Sequence, residues 1–150
     1  MARFGKAFNE LKTGDTFQEA LTITEAHLSH AAGLFNDYNA LHTDEPNMQR
    51  SRFGKRIAHG ALTFGLMVGV YSKVFYDTDI STVEASISFT APIYINDTIT
   101  FRWEVSELEP KPKLDGGLVT LRGEAINQDG TVTAKTSAKL LVGNDTIFNK

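Results

Sequence analysis

Two short stretches of this 150-residue chain gather the side chains that can do chemistry. One is "FNDYNALHTDEP" (35–46), which sets Asp37, Asn39 and His42 in a polar segment directly after an apolar helical pattern. The other is "IAHG" (57–60), which brings His59 and Gly60 to the start of a second helical pattern. A carboxylate and an imidazole in one loop can divide acid and base work between them. A glycine at a helix N-terminus offers an N–H that the helix leaves unpaired, at the positive end of its dipole. Having no side chain, it also lets a ligand come close. Plainer roles stand beside these. Asp37 and Asn39 suit turn and capping positions. Asn39 braces the loop as readily as it touches a ligand, His59 suits a structural hydrogen bond, and Gly60 suits close packing.

The elements that must position these groups follow from apolar spacing. "TFQEALTI" (16–23) reads as a short strand. Thr24 then reads as an N-cap, with Glu25 in the first helical turn. Leu28, Ala31, Ala32 and Phe35 recur at helical spacing up to the polar loop. Pro46 is placed to start a short turn of helix near 45–50. "GALTFGLMVGVYSKVF" (60–75) is apolar on every face of a helical wheel, so it is expected to be buried on all sides. It is too short to span a bilayer. The wrapper is the C-terminal half. Val83, Ala85, Ile87 and Phe89 alternate with polar residues, as do Ile99, Phe101, Trp103 and Val105. Segment 118–126 is less regular, and Val132, Ala134, Ala138, Leu140 and Val142 alternate again. Period two over such lengths predicts strands with one face on a core. Asp129-Gly130 marks a hairpin, and "EPKPKLDGG" (109–117) reads as a longer solvated loop. The expected fold is α+β: a short N-terminal strand, then a four-stranded antiparallel meander, curved around one apolar helix. That is the hot dog arrangement.

Composition bounds the rest. The length suits a single domain over 1–150. With no cysteine, disulfides and thiolate metal sites are excluded, and a reducing, cytoplasmic setting is expected. A net charge of −3 supplies no general field for nucleic acid. The N-terminal residues lack the apolar core of a signal peptide, and no run reaches the roughly 20 apolar residues a spanning helix needs.

"LFNDYNALHTD" followed by "FGKRIAHGALTFGL" resembles the MaoC-like, hydratase-2 family of hot dog enzymes. Its members carry an Asp-x-Asn-Pro-x-His loop and then an Ile-x-His-Gly lead into the central helix. The likeness runs over residues 14–142, with both motifs at the family's separation. It implies reversible hydration of trans-2-enoyl-CoA to (R)-3-hydroxyacyl-CoA. Asp37 and His42 would hold and activate one water, and the Gly60 N–H would polarise the thioester oxygen. It also implies a homodimer with the acyl site near the interface, and no cofactor, coenzyme A being part of the substrate. The chemistry has its own logic. Water addition to a conjugated thioester needs a base, an acid for the α-carbon, and donors for the enolate-like oxygen. Losing one such donor typically costs about 100-fold or more in rate. Two positions depart from the family. Asn36 replaces a glycine, and asparagine tolerates positive φ. Ala40 replaces the proline that would hold Asn39 extended, giving up about 0.4–1 kcal/mol of loop pre-organisation.

Other features were weighed against these. His27 and His30 sit one helical turn apart, but no third ligand stands at supporting spacing, so a partly exposed helix face is expected rather than a metal site. "RSRFGKR" (50–56) holds four basic residues and no acid. It is either a solvated loop or, through Lys55 and Arg56, a contact for the phosphates of coenzyme A. Its likeness to a nucleic-acid patch conflicts with the acidic net charge. The aromatics Phe35, Tyr38, Phe53, Phe64, Tyr71 and Phe75 are expected mostly in the core, with one or two of them lining an acyl tunnel; Tyr38 and Phe53 are the candidates carried forward. The expected substrate contacts are thus Asn39, His59, Tyr38, Phe53, Lys55 and Arg56, and the expected catalytic groups Asp37, His42 and Gly60. An acyl-CoA thioesterase and a non-catalytic subunit of a heteromer are the rival functions for the same fold.

Overall fold

The computed structural model describes residues 4–148. In chain order it contains β1 (Thr16–Thr22), α1 (Glu25–Phe35), α2 (Ala40–Thr43), α3 (Glu45–Met48), α4 (Gly60–Val74), β2 (Thr78–Phe89), β3 (Thr98–Lys111), β4 (Gly116–Ile126) and β5 (Val132–Thr146). The five strands are all antiparallel and lie in the order β1-β3-β4-β5-β2. Their curved sheet packs on α4, giving the hot dog arrangement. Among the described residues no helix is long and apolar enough to cross a membrane.

The core forms where apolar alternation meets α4. Ile99, Phe101, Trp103 and Val105 of β3 are buried, as are Val119, Leu121 and Ala125 of β4 and Ala134, Ala138, Leu140 and Val142 of β5. From the helix they meet Thr63, Met67, Val70 and Tyr71, at the i, i+4, i+7, i+8 spacing of one face. The Trp103 indole N–H donates to the Met67 carbonyl at 2.7 Å, so the largest core side chain leaves no polar atom unpaired. Gly123 makes the room for this: a β-carbon there would lie 2.7 Å from both Met67 and Trp103.

Four expectations need correction. The meander has three strands, β3-β4-β5. β2 pairs with β5, and β1 takes the place beside β3. The reason lies in residues 90–97, whose one tight turn, Tyr94–Asp97 with Asn96 at φ 72°, leads into β3 after the chain has crossed the sheet end, and does not fold β2 back onto β3. Thr90 and Ala91 N–H groups bond the Thr133 carbonyl, and farther on Asn96 N–H bonds the Ile23 carbonyl. Second, α4 is buried on one side only, since one sheet covers one side; Ala61 and Gly65 are exposed. Third, the alternation of 83–89 does not put its whole set on the core. Ile87 packs against it, while Val83 and Phe89 are 59% and 56% exposed. Fourth, "EPKPKLDGG" is mostly strand. Pro110 pairs with Gly117, and only 112–115 turn. Gly116 and Gly117 allow it, because a β-carbon at either would fall 2.2 Å from the Val142 carbonyl or 2.3 Å from the Phe8 ring.

Candidate active site

The polar loop is built by successive caps. α1 ends at Asn36, which takes the left-handed conformation (φ 52°, ψ 37°) that its side chain tolerates, and its N–H bonds the Ala32 carbonyl. Asp37 N–H bonds the same carbonyl at 3.0 Å. Asn39 then adopts extended dihedrals (φ −55°, ψ 141°) without a following proline, so Ala40 leaves the local geometry in place. The Asn39 Oδ1 accepts from Leu41 N–H at 3.0 Å and starts α2, a single helical turn within what the sequence presented as plain loop. Asp44 caps α3 in the same way, with Pro46 in its first turn. His42 is thereby set on a short helix with both ends fixed.

Hydrogen bonds orient the side chains of this loop. His42 is 8% exposed, and its Nδ1 lies 2.7 Å from the Ile57 carbonyl oxygen. A carbonyl only accepts, so Nδ1 carries the hydrogen and Nε2 of the neutral ring presents a lone pair. Ile57 is itself fixed, its N–H bonded to the Leu41 carbonyl and its backbone bridged to Tyr94. Asp37 is half exposed, and its Oδ1 accepts from Asn39 N–H at 3.2 Å. Its Oδ2 stands 3.7 Å from His42 Nε2. That is too long for a direct hydrogen bond and suits two groups that share one water.

His59 ties this pair to α4. It is 1% exposed, its Nε2–H donates to the Asp37 main-chain carbonyl at 3.0 Å, and it is the N-cap of α4. Its ring stacks on that of His42, with centroids 3.7 Å apart and planes 24° apart. Its Nδ1 finds no hydrogen-bond partner among the described residues. One ligand-type atom each of Asp37, His42 and His59 fall within 4.8 Å of one another. Next in the chain, Gly60 opens α4 with an N–H that no preceding turn can pair. A β-carbon on Gly60 would come within 2.7 Å of the Phe89 ring, so the close-packing role holds as well.

A cavity of about 700 Å³ reaches two of these groups, His42 and Gly60; Ile57, Thr63, Phe53, Phe89 and Tyr94 also line it, while Asp37 and His59 lie outside its lining. At its rim the Arg52 guanidinium lies 4.6 Å from the centre of the Phe53 ring, and Lys55 Nζ lies 4.4 Å from the centre of the Tyr94 ring. The sequence-based substrate set divides here. Phe53 is a wall residue, and Lys55 sits over a wall residue. Tyr38 is 64% exposed and borders a smaller hollow beside α1, on the other side of His42, which lines both. Arg56 borders that hollow too, and is committed to two carboxylates: Glu45 Oε2 at 2.8 Å and Glu25 Oε2 at 2.6 Å. These partners raise the Arg56 pKa, while Arg56 holds the Glu25 carboxyl below its usual range. Asn39 acts in the loop as a cap. His27 accepts from Thr24 N–H at 2.9 Å, a capping role that accounts for it without a metal. Phe89 and Arg52 were not singled out by the sequence. Phe89 looked like one more member of a strand alternation, and Arg52 was indistinguishable from its basic neighbours.

A five-stranded antiparallel sheet packed on a central helix, with Asp37 and His42 gathered near that helix's N-terminus, defines a hot dog protein. Residues 7–125 match the MaoC like domain family. The chain is 33% identical over 126 residues to an (R)-specific enoyl-CoA hydratase of Rhodospirillum rubrum, covering 79% of this chain and 88% of that protein. It is 30% identical over 127 residues to a 3-hydroxybutyryl-CoA dehydratase of Methylorubrum extorquens, covering 79% and 81%. The fold superposes on an unliganded R-hydratase of Pseudomonas aeruginosa with a TM-score of 0.83 at 24% identity, over 94% of this chain and 88% of that one. The chain belongs to the MaoC-like domain family, and its relatives place it among that family's hydratases and dehydratases.

Proposed function

We propose that this protein adds water reversibly to trans-2-enoyl-CoA thioesters, giving (R)-3-hydroxyacyl-CoA. The observation that carries this reading is the pairing of Asp37 Oδ2 with the free Nε2 of His42 across 3.7 Å, one residue pair away from the open N–H of Gly60 through His59. A water between the two side chains loses a proton to the pair as its oxygen bonds to C3 of the enoyl group. The double-bond electrons move toward the thioester, and the pair returns a proton to C2. Charge gathering on the thioester oxygen is held by the Gly60 N–H and the positive end of α4. Arg52 and Lys55 offer cations for the phosphates of coenzyme A, and their aromatic partners steady them. The reading assigns no cofactor. It takes the working unit as a homodimer, supported by the uncovered side of α4 and the exposed apolar residues of the edge strand β2.

Crotonyl-CoA separates this reading from a thioesterase. Hydration lowers the absorbance of the conjugated double bond without release of free thiol. Free thiol with the conjugation intact would establish hydrolysis instead, and no turnover of any enoyl-CoA would favour a non-catalytic subunit.

A further inference from the structure

We propose that Phe89 sets the acyl-chain length this site accepts, an inference that rests on the acyl-CoA reading above. Phe89 is the last residue of β2, and its backbone is pinned. It pairs with Ala134 in the ladder. The next two N–H groups, of Thr90 and Ala91, both bond the Thr133 carbonyl, and Thr90 Oγ1 donates to the Val132 carbonyl at 2.6 Å. The ring, in contrast, is not part of the packed core, being 56% exposed. It lies against Gly60: a β-carbon there would meet Phe89 Cζ at 2.7 Å, Cε2 at 3.1 Å and Cε1 at 3.3 Å. The ring therefore fills the place a side chain would take on the residue whose N–H is to receive the thioester oxygen.

That contact places the ring near the reacting carbons however the acyl chain is oriented. A thioester whose oxygen reaches the Gly60 N–H has C1 and C2 within a few bonds of it. With coenzyme A drawn toward Arg52 and Lys55, the acyl tail is left to pass the walls formed by Thr63, Phe89 and Thr133. Thr63 and Thr133 are 4% and 1% exposed and fixed by the core. Phe89 is the large side chain of the three, and the only one not locked by burial. It shortens the space available to the tail while leaving the Asp37–His42 pair untouched.

The test compares crotonyl-CoA with trans-2-octenoyl-CoA in the wild type, Phe89→Ala and Phe89→Leu. The wild type should favour crotonyl-CoA. Phe89→Ala should raise the octenoyl-to-crotonyl ratio of kcat/KM about ten-fold or more, since even one methylene of misfit is worth about that factor. Phe89→Leu should fall between. Binding of the saturated analogues butyryl-CoA and octanoyl-CoA, measured by calorimetry, gives a readout free of turnover. A shifted affinity ratio without hydration would sink the hydratase reading and leave the role of Phe89 standing. Unmoved ratios in both variants, by kinetics and by binding, would overturn the role of Phe89 alone. Failure of the wild type to bind any of these thioesters would overturn both.

Discussion

In the proposed reaction His42 depends on the bond at its other nitrogen. The Ile57 carbonyl takes the Nδ1 hydrogen, so Nε2 faces Asp37 with a lone pair. Asp37 has no comparable side-chain anchor beyond one N–H of Asn39, and its main chain is held by His59. His59→Leu should therefore keep the fold but let Asp37 drift. We expect kcat to fall roughly 100-fold, the usual penalty for a misplacement near 1 Å, with KM within about two-fold. Steady-state kinetics with a circular dichroism control checks this, and a rise in KM at unchanged kcat would assign His59 to substrate binding instead. The roles of Asp37, His42 and Gly60 remain part of the proposal, but that they would stand near one another was legible, because they sit in two short stretches. The bond from His59 to Asp37 was not, since it spans 22 positions and exists only once α1 delivers its C-terminus to the start of α4. Arg56 and Lys55 looked alike in sequence for the same reason: the carboxylates that claim Arg56 come from elsewhere in the chain.

At the scale of elements, Arg56 is the clamp. It joins Glu25 at the start of α1 to Glu45 at the start of α3, and its Nη1 also reaches the His42 carbonyl at 3.4 Å. Arg56→Ala should cost about 2 kcal/mol, taking charge-assisted bonds to half-exposed carboxylates as modest. That corresponds to a fall in Tm of roughly 4–8 °C for a chain of this size. The pH dependence has a definite sign. Glu25 is depressed below its ordinary value of 4.5 by Arg56, so its contribution is present above that pH and is lost as pH falls through the lowered value. The Tm gap between wild type and Arg56→Ala should then narrow on acidification below about 4.5; a gap that widens would contradict the pairing. The elements themselves were largely readable. Thr24 begins α1, Pro46 begins α3, and Asp129-Gly130 turns with Gly130 at φ 81°. α2 escaped notice because a single helical turn carries no period, only the cap that Asn39 provides.

For the whole molecule, one sheet cannot enclose an apolar helix. α4 keeps Ala61 and Gly65 exposed, and β2 leaves Val83 open on an edge that has a neighbour only in β5. The sequence announced this helix as buried on every side; in the proposed homodimer the partner chain would supply the missing cover. Sedimentation should return twice the 16.5 kDa of one chain, and Val83→Glu should shift the equilibrium toward monomer. A wild type that sediments as a monomer at micromolar concentration would contradict the dimer. Strand order was the other thing hidden from the sequence, because apolar alternation reports which face is buried and not which strand lies alongside. Whether Asp37 and His42 share one water is tested by crotonyl-CoA hydration with the wild type, Asp37→Asn, His42→Ala and the double variant. Each single change should lower kcat/KM by about 100- to 10,000-fold, and the double variant should be little worse than either, because the two groups act on one proton-transfer step. Near-normal activity in either single variant, or losses that multiply in the double, would contradict it.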